Sequence, residues 1–188
     1  MSCRILYLMI CGAGPADRID VMVRLAQDRG WTVHCIATPA AVEYFIDLEV
    51  LVSLTSHPVR TDHQRSGQPG LPKADGVIVA PATYNTINKW AAGIADTYVL
   101  TQLAELTGLG VPIVVLPFVN TALAANRVFL RSVEELRQSG VTVLFGDGGF
   151  VPHPPRAGGS RLDAYPWELA LEAVEPKVGI RDVSPGLK

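Results

Sequence analysis

The sequence carries little net charge. Its 16 Lys and Arg against 18 Asp and Glu leave a formal charge of −2, and only 18% of the 188 residues are charged. Proteins that bind nucleic acid or anionic membranes usually present a basic surface, so this balance supports neither partner. With 48% hydrophobic residues, the chain is too apolar to be disordered. We expect a folded domain with a sizeable core and apolar surface left for contacts between subunits.

Long hydrophobic runs are also missing. The longest, such as 111–119, are too short to cross a bilayer and contain prolines. The apolar start "MSCRILYLMICGAG" runs into Gly12 and Gly14 without a typical cleavage site, so we interpret it as a first strand and not as a signal peptide. These features predict a cytoplasmic protein.

Cysteine is scarce. Cys3, Cys11 and Cys35 are an odd set that lies in or beside predicted buried strands. Their spacing does not suit a metal site, so no metal is expected. Reduced core thiols in a cytoplasmic protein are the interpretation.

What is present is an alternation of short apolar runs with helical patterns. The predicted strands are 5–11, 32–37, 77–80, 113–116 and 142–145, and the predicted helices are 19–29, one after Thr38, 85–93, 98–106 and 132–139. The segment 50–54 is ambiguous. This pattern predicts an α/β fold: a single Rossmann-like, flavodoxin-like domain over 1–150, with a parallel sheet and helices on both faces. Residues 151–188 are predicted to be a Gly/Pro-rich loop, a short helix over about 166–174 and a polar tail.

In such sheets, ligands bind beyond the carboxyl ends of the strands. Four segments are expected there: "CGAGPAD", "ATPAA", "APATYNT" and "LPFVNTA". Gly12, Ala13 and Gly14 would let backbone amides approach a phosphate, or would simply make a tight turn. Thr38 could give its hydroxyl to a phosphate or serve only as a helix cap.

The third and fourth segments are richer in polar groups. Thr83, Asn85 and Thr86 offer two hydroxyls and an amide, and Asn88 and Lys89 share a predicted helix face with Asn85. An ordinary capped helix is the alternative. Asn120 ends the fourth predicted strand with an amide that could bind a carboxylate or a ring edge, unless it only makes an Asx turn.

Taken together, these residues resemble the homo-oligomeric flavin-containing cysteine decarboxylases, which include phosphopantothenoylcysteine decarboxylase and the lantibiotic peptide decarboxylases. That family carries Pro-Ala-Ser-Ala-Asn-Thr, and this chain has "PATYNT" at 81–86, with Thr83 keeping the hydroxyl and the bulkier Tyr84 replacing Ala. The segment "IATPAAVEYFID" resembles the family's second flavin segment. The resemblance covers about residues 4–150.

The resemblance implies FMN bound without a covalent link, at sites between the subunits of trimers or of dodecamers built from four trimers. It implies oxidation of a cysteine thiol to a thioaldehyde, which then loses carbon dioxide easily. The implied flavin contacts are Gly12, Ala13, Gly14, Thr38, Phe45, Pro81, Ala82, Thr83, Asn85 and Thr86.

Two departures from the family pattern matter. The family's Pro-x-Met-Asn-x-x-Met-Trp appears as "PFVNTALA" at 117–124, which keeps Asn120 and loses both Met and the Trp. The Cys that phosphopantothenoylcysteine decarboxylase carries before a Gly-Asp pair is replaced by Phe145. Without that thiol to reduce an enethiol product, a role in coenzyme A synthesis is not expected.

The family's active-site His lies in the loop before the third strand. Counting without gaps places it at Gly67; His63, four residues earlier, is the candidate base, and His57 is the alternative. A solvated loop His would look the same.

We therefore predict an FMN-dependent oxidative decarboxylase that acts on a cysteine-type substrate, either a peptide C-terminal cysteine or a small thiol, with His63 and Asn120 as catalytic residues. The alternative is an FMN-binding protein of the same fold without this activity. A flavin prenyltransferase ranks third.

Overall fold

The computed structural model describes residues 4–63 and 70–178. In these ranges five parallel strands form one sheet in the order β2-β1-β3-β4-β5. The strands are β1 Arg4–Ile10, β2 Trp31–Ala37, β3 Gly76–Ala82, β4 Ile113–Pro117 and β5 Thr142–Val143. The helices are α1 Ile19–Asp28, α2 Pro39–Tyr44, α3 Leu48–Thr55, α4 Tyr84–Ala91, α5 Tyr98–Gly108, α6 Thr121–Ala124, α7 Arg127–Gln138 and α8 Trp167–Val174. The predicted α/β, flavodoxin-like fold is confirmed.

The strands form because their apolar runs are buried on both faces. All seven residues of β3 and all five of β4 are buried, as expected for central strands of a parallel sheet. The chain winds from β1 outward to β2, then returns past β1 to β3 and continues in the other direction. This reversal leaves a crevice at the carboxyl ends of β1 and β3, where ligands bind in doubly wound folds.

Helices cover both faces of the sheet. α1 packs on β2, and α8 packs on β3 and β4. A side chain at Gly76 would come within 3.0 Å of Val174 of α8, so that face of β3 is closed tightly. Tyr7 of β1 points to the opposite face and lines a cavity with residues of α5 there. α4 packs between α5 and α7.

Three local expectations are corrected by the structure. The helix expected over 132–139 begins at Arg127, because the Asn126 side chain accepts a hydrogen bond from the Val128 amide and caps an earlier start. The ambiguous segment 50–54 belongs to α3, which Asp47 caps. The short helix α6 directly follows β4 and was not expected.

Residues that follow the predicted domain boundary at 150 pack on the sheet, among them Tyr165 and α8. The Tyr165 hydroxyl donates a 2.6 Å hydrogen bond to the Leu116 carbonyl at the end of β4. The division of the chain at residue 150 stays a prediction. Within the described ranges, no helix has the length and apolar character needed to cross a membrane.

Candidate functional site

The carboxyl ends of β1, β2, β3 and β4 surround a cavity of about 590 Å³. Its volume lies within the range of small-molecule and cofactor sites. All four segments selected from the sequence contribute to the wall. The wall residues are Gly12, Ala13, Thr38, Pro39, Ala40, Thr83, Tyr84, Asn85, Thr86, Thr97, Leu100, Phe118 and Leu123.

The turn after β1 depends on its two glycines, because other groups approach both closely. A Cβ at Gly12 would lie 2.9 Å from the Ala40 Cβ, and one at Gly14 would lie 2.8 Å from a Leu162 methyl. Gly12 and Ala13 line the cavity, whereas Gly14 starts a 3₁₀ turn that faces Leu162. The glycines therefore let this turn pack closely against Ala40 and Leu162, where a side chain would not fit.

Thr38 and Thr83 both cap helices and line the cavity. The Thr38 hydroxyl accepts a hydrogen bond from the Ala41 amide at 3.3 Å, and the Thr83 hydroxyl accepts one from the Thr86 amide at 3.2 Å. The Thr38 hydroxyl keeps its own proton for donation, whereas the Thr83 hydroxyl also shares a 2.9 Å hydrogen bond with the Thr86 hydroxyl. The capping role and the ligand role are thus compatible at Thr38.

The remaining predicted flavin contacts divide into two groups. Asn85 is exposed and Thr86 is buried, and both lie on the cavity wall. Pro81 and Ala82 are buried in β3 behind the wall, and Phe45 ends α2 beside a separate exposed groove. None of these three residues lines the cavity.

The predicted common face of Asn85, Asn88 and Lys89 is split by the structure. Lys89 forms an ion pair with Asp96. The Asn88 side-chain oxygen is buried and has no hydrogen-bond partner among the described residues. Of the three, only Asn85 is on the cavity wall.

Asn120 begins α6 directly after β4. Its side-chain oxygen accepts a 2.9 Å hydrogen bond from the Leu123 amide, and the next residue, Thr121, donates to the His153 carbonyl at 2.8 Å. Phe118 and Leu123 on either side of it line the cavity, while Asn120 itself does not. The side-chain NH₂ of Asn120 makes no hydrogen bond in the described part of the chain.

His63 is exposed and lies outside the cavity wall. Its ring packs edge-on against Tyr98, with ring centroids 5.0 Å apart. The neighbours of Tyr98 on α5, Thr97 and Leu100, line the cavity. Tyr98 itself lines the other cavity, with Tyr7, so His63 is not placed on this wall and its role stays a prediction. Gly67 lies outside the described residues.

His57, the alternative base, has a different partner. Its ring stacks on His34 of β2 at a centroid distance of 4.1 Å. Burial, together with the neighbouring His57 and Arg60, lowers the pKa of His34 to about 4. The two rings therefore pack on each other beside β2, and neither lines the cavity at the strand ends.

The wall contains no Asp, Glu, Lys, Arg or His among the described residues. A phosphate there would be held by backbone amides and hydroxyls, and a planar ring by apolar side chains. Beneath the wall, burial raises the pKa of the Cys11 thiol, despite an opposing hydrogen bond from Thr86. Cys11 and Cys35 are free, buried thiols, whereas Cys3 lies outside the described residues. No metal-binding cluster of His, Cys, Asp or Glu occurs in the described ranges.

Several wall residues were not selected from the sequence. Thr97 and Leu100 come from the start of α5, and Phe118 and Leu123 flank Asn120. Thr97 caps α5 through the Leu100 amide, so a cap signal before an apolar helix could have identified it. No local pattern marks Leu100 or Leu123, because only the fold brings them to the crevice.

The fold and this cavity define a doubly wound α/β protein with a cofactor-sized cavity at the carboxyl ends of its strands. The chain belongs to the Flavoprotein family, whose model matches residues 3–158. This membership confirms the expected flavin cofactor and the family resemblance.

Known relatives agree with this assignment. The coenzyme A biosynthesis bifunctional protein CoaBC of Bacillus subtilis is 30% identical over 129 residues, which cover 65% of this chain and 31% of that protein. The chain thus spans about a third of that relative's length. Flavin prenyltransferase UbiX of Thermoplasma acidophilum is 26% identical, with 78% of this chain and 83% of that protein covered. The structure of TvaF, an FMN-dependent cysteine decarboxylase from thioviridamide biosynthesis, superposes with a TM-score of 0.69 at 24% identity, covering 92% and 99% of the two chains.

Proposed function

We propose that this flavoprotein is an FMN-dependent oxidative decarboxylase of a cysteine-type substrate, in the first place a peptide with a C-terminal cysteine. The observation that carries the proposal is the cavity itself, where Gly12, Thr38, Thr83, Asn85 and Thr86 meet at the ends of three strands. TvaF, with the same fold, is an FMN-dependent cysteine decarboxylase.

The residues present fit FMN. Gly12 and Ala13 bring backbone to the cavity wall, the Thr38 hydroxyl keeps a donor proton for a phosphate, and the paired hydroxyls of Thr83 and Thr86 share one hydrogen bond between them. The cavity offers one candidate site for a phosphate, and the described residues contain no second half of a dinucleotide-binding fold. This favours FMN over FAD. When bound, FMN supplies the two-electron acceptor that thiol oxidation requires.

The chain's own groups would orient the substrate and move its proton. The free side-chain NH₂ of Asn120 can donate to the substrate carboxylate, since the side-chain oxygen already caps α6. His63 is the candidate base for the thiol proton. The buried Leu100 and the partly buried Phe118 limit water in the cavity.

Self-association into trimers or dodecamers is part of the proposal. Val50 and Val52 of α3 are 48% and 41% exposed, which leaves apolar surface for a second copy. Light scattering of the flavin-loaded protein at micromolar concentration should show an oligomer; a monomer alone would contradict this part.

The deciding experiment uses purified protein and synthetic peptides. Heat should release a flavin that mass spectrometry identifies as FMN, and a peptide with a C-terminal cysteine should yield carbon dioxide and a product lighter by carbon dioxide and two hydrogens. A colourless protein that does not take up FMN would refute the whole proposal.

A second candidate is an FMN-binding protein without decarboxylase activity. The loss of both Met and the Trp from the segment 117–124 and the use of the Asn120 oxygen as a helix cap favour it. FMN binding without carbon dioxide release from any thiol would support this candidate. Transfer of a prenyl group to the flavin would instead place the chain with UbiX.

A further inference from the structure

Tyr84 is the bulkiest change in the "PATYNT" segment and stands at the start of α4. It lines the cavity, and its ring lies nearly parallel to that of Phe129, at 17° and with ring centroids 5.6 Å apart. Phe129 belongs to α7 and is fully buried. One face of Tyr84 is therefore occupied by the core, which leaves the rest of the ring toward the cavity and solvent.

Phe145 also contacts the Phe129 ring. Its ring meets Phe129 edge-on, with centroids 5.3 Å apart and planes at 83°. Phe145 is also the residue that replaces the Cys before Gly146-Asp147. Two departures from the family pattern, 61 positions apart in the chain (145 − 84), thus meet on one buried ring.

The stack fixes the position of Tyr84. Leaving its present side-chain rotamer would separate Tyr84 from Phe129 and lose the stacking contact. Phe129 cannot move together with Tyr84, because it is fully buried and its ring also contacts Phe145. Tyr84 therefore acts as a rigid part of the wall, unlike a flexible side chain that could swing aside.

We propose that Tyr84 determines the substrate size that the cavity accepts. It excludes a cysteine-type substrate with a bulky side chain next to the reacting cysteine and favours one with glycine or alanine there. This inference rests on the proposed function, since it assigns that same cavity a substrate class. The wall is uncharged, so discrimination by Tyr84 is steric.

The test compares two peptides, acetyl-Gly-Cys and acetyl-Trp-Cys, on the flavin-loaded wild type and on Tyr84→Ala, Tyr84→Phe and Tyr44→Ala. Tyr44→Ala is the matched control, because it removes the same atoms from an exposed residue outside the cavity wall. Carbon dioxide release gives kcat/KM, and the change in flavin absorbance on titration gives binding independently of turnover. If Tyr84→Ala does not fold, Tyr84→Leu carries the same test.

We expect the wild type to prefer the glycine peptide by about 10- to 100-fold, as steric discrimination in a fixed pocket allows. Tyr84→Ala should reduce that preference at least about 10-fold by accepting the tryptophan peptide, whereas Tyr84→Phe and Tyr44→Ala should keep it. An unchanged preference in flavin-loaded Tyr84→Ala would overturn the inference and leave the decarboxylase proposal intact. A shift in binding preference without any carbon dioxide would support the inference and refute the decarboxylase. Failure of both peptides to bind the wild type would overturn both.

Discussion

The hydroxyl oxygens of Thr83 and Thr86 lie 2.9 Å apart at the start of α4, where both residues face the cavity. The Thr83 hydroxyl also accepts a hydrogen bond from the Thr86 amide, so this side chain both caps α4 and forms part of the cavity wall. Helix capping and the shape of the cavity wall are therefore coupled at Thr83.

Thr83→Ala should weaken both properties. Loss of the cap should lower the free energy of unfolding by about 1 kcal/mol, within a usual range of about 0.5–2 kcal/mol. Loss of one hydrogen bond to the flavin should weaken FMN binding up to about 10-fold. Urea unfolding of the apoprotein and FMN titration measure the two effects. Thr83→Ser is the control and should retain both; equal FMN affinity in Thr83→Ala would remove Thr83 from the flavin site.

Gly12→Ala should be more damaging, because the new Cβ would lie 2.9 Å from the Ala40 Cβ and 3.0 Å from its carbonyl carbon. Forcing that contact should cost about 1–3 kcal/mol and push the turn away from the cavity. Flavin content after purification and urea unfolding report the result.

Gly108→Ala is the matched control for Gly12→Ala. A Cβ at Gly108 meets nothing within 4 Å, and the residue ends α5. Its stability should be unchanged or up to about 1 kcal/mol higher, because Ala favours helix. A Gly12→Ala protein with full flavin and wild-type stability would show that the close approach is not needed.

The sequence was sufficient for the parts of the site that local patterns encode. Apolar runs mark buried parallel strands, and the carboxyl ends of such strands must meet at one edge, so the four loops were placed together correctly. Thr38 was also recognised as the cap of α2, since Pro39 follows it in the first turn.

Contacts between distant segments could not be predicted. The approach of Leu162 to Gly14 and the stacking of Tyr84 on Phe129 join residues far apart in the chain with no local signal. Lys89 shows the limit of helical spacing, because periodicity gives the face of a helix but not the partner, here Asp96. The alignment of His63 with the family's active-site His could not be predicted, because a loop has no periodicity that fixes the register of two sequences.

Asn120 can be tested by separating its two roles. Asn120→Ala removes both the cap of α6 and the free NH₂, whereas Asn120→Asp keeps an oxygen acceptor for the Leu123 amide, removes the donor and adds a negative charge that repels a carboxylate. We expect Asn120→Asp to keep wild-type stability and to lose about 10- to 100-fold in turnover, since a hydrogen bond to a charged group is worth roughly 1.5–3 kcal/mol. Asn120→Ala should also lose about 1 kcal/mol of stability. Full turnover in Asn120→Asp would show that the Asn120 side-chain NH₂ does not bind the substrate carboxylate.

His63 makes a sharper prediction. If His63 is the base, His63→Ala should lower turnover on the order of 100-fold. The flavin should be retained, because His63 lies outside the wall of the cavity in which we propose that FMN binds. Tyr98→Leu removes the ring against which His63 packs and should give a smaller loss, while His57→Ala is the comparison for the alternative base. Wild-type turnover in His63→Ala would leave His63 as a solvated loop residue.

The stacked pair of His34 and His57 should make the fold sensitive to acid. His34 is 7% exposed, with Tyr7 edge-on to it from β1 and His57 and Arg60 from the segment after α3. Its pKa is lowered to about 4 in the folded protein, against an ordinary value of 6.5. Between these values the unfolded chain takes up a proton that the folded chain does not, so acid favours unfolding.

The contribution of His34 to stability is therefore complete above about pH 6.5 and is lost as the pH falls toward 4. At about 1.4 kcal/mol per pKa unit, the loss is on the order of 1–3 kcal/mol. Unfolding of the apoprotein by urea at pH 7 and pH 4.5 measures it. His34→Phe keeps a ring against His57 without a titrating group, so its acid loss should be smaller than that of the wild type. His63→Ala, which removes an exposed histidine, should lose as much as the wild type; an equal loss in His34→Phe would assign the acid sensitivity to other groups.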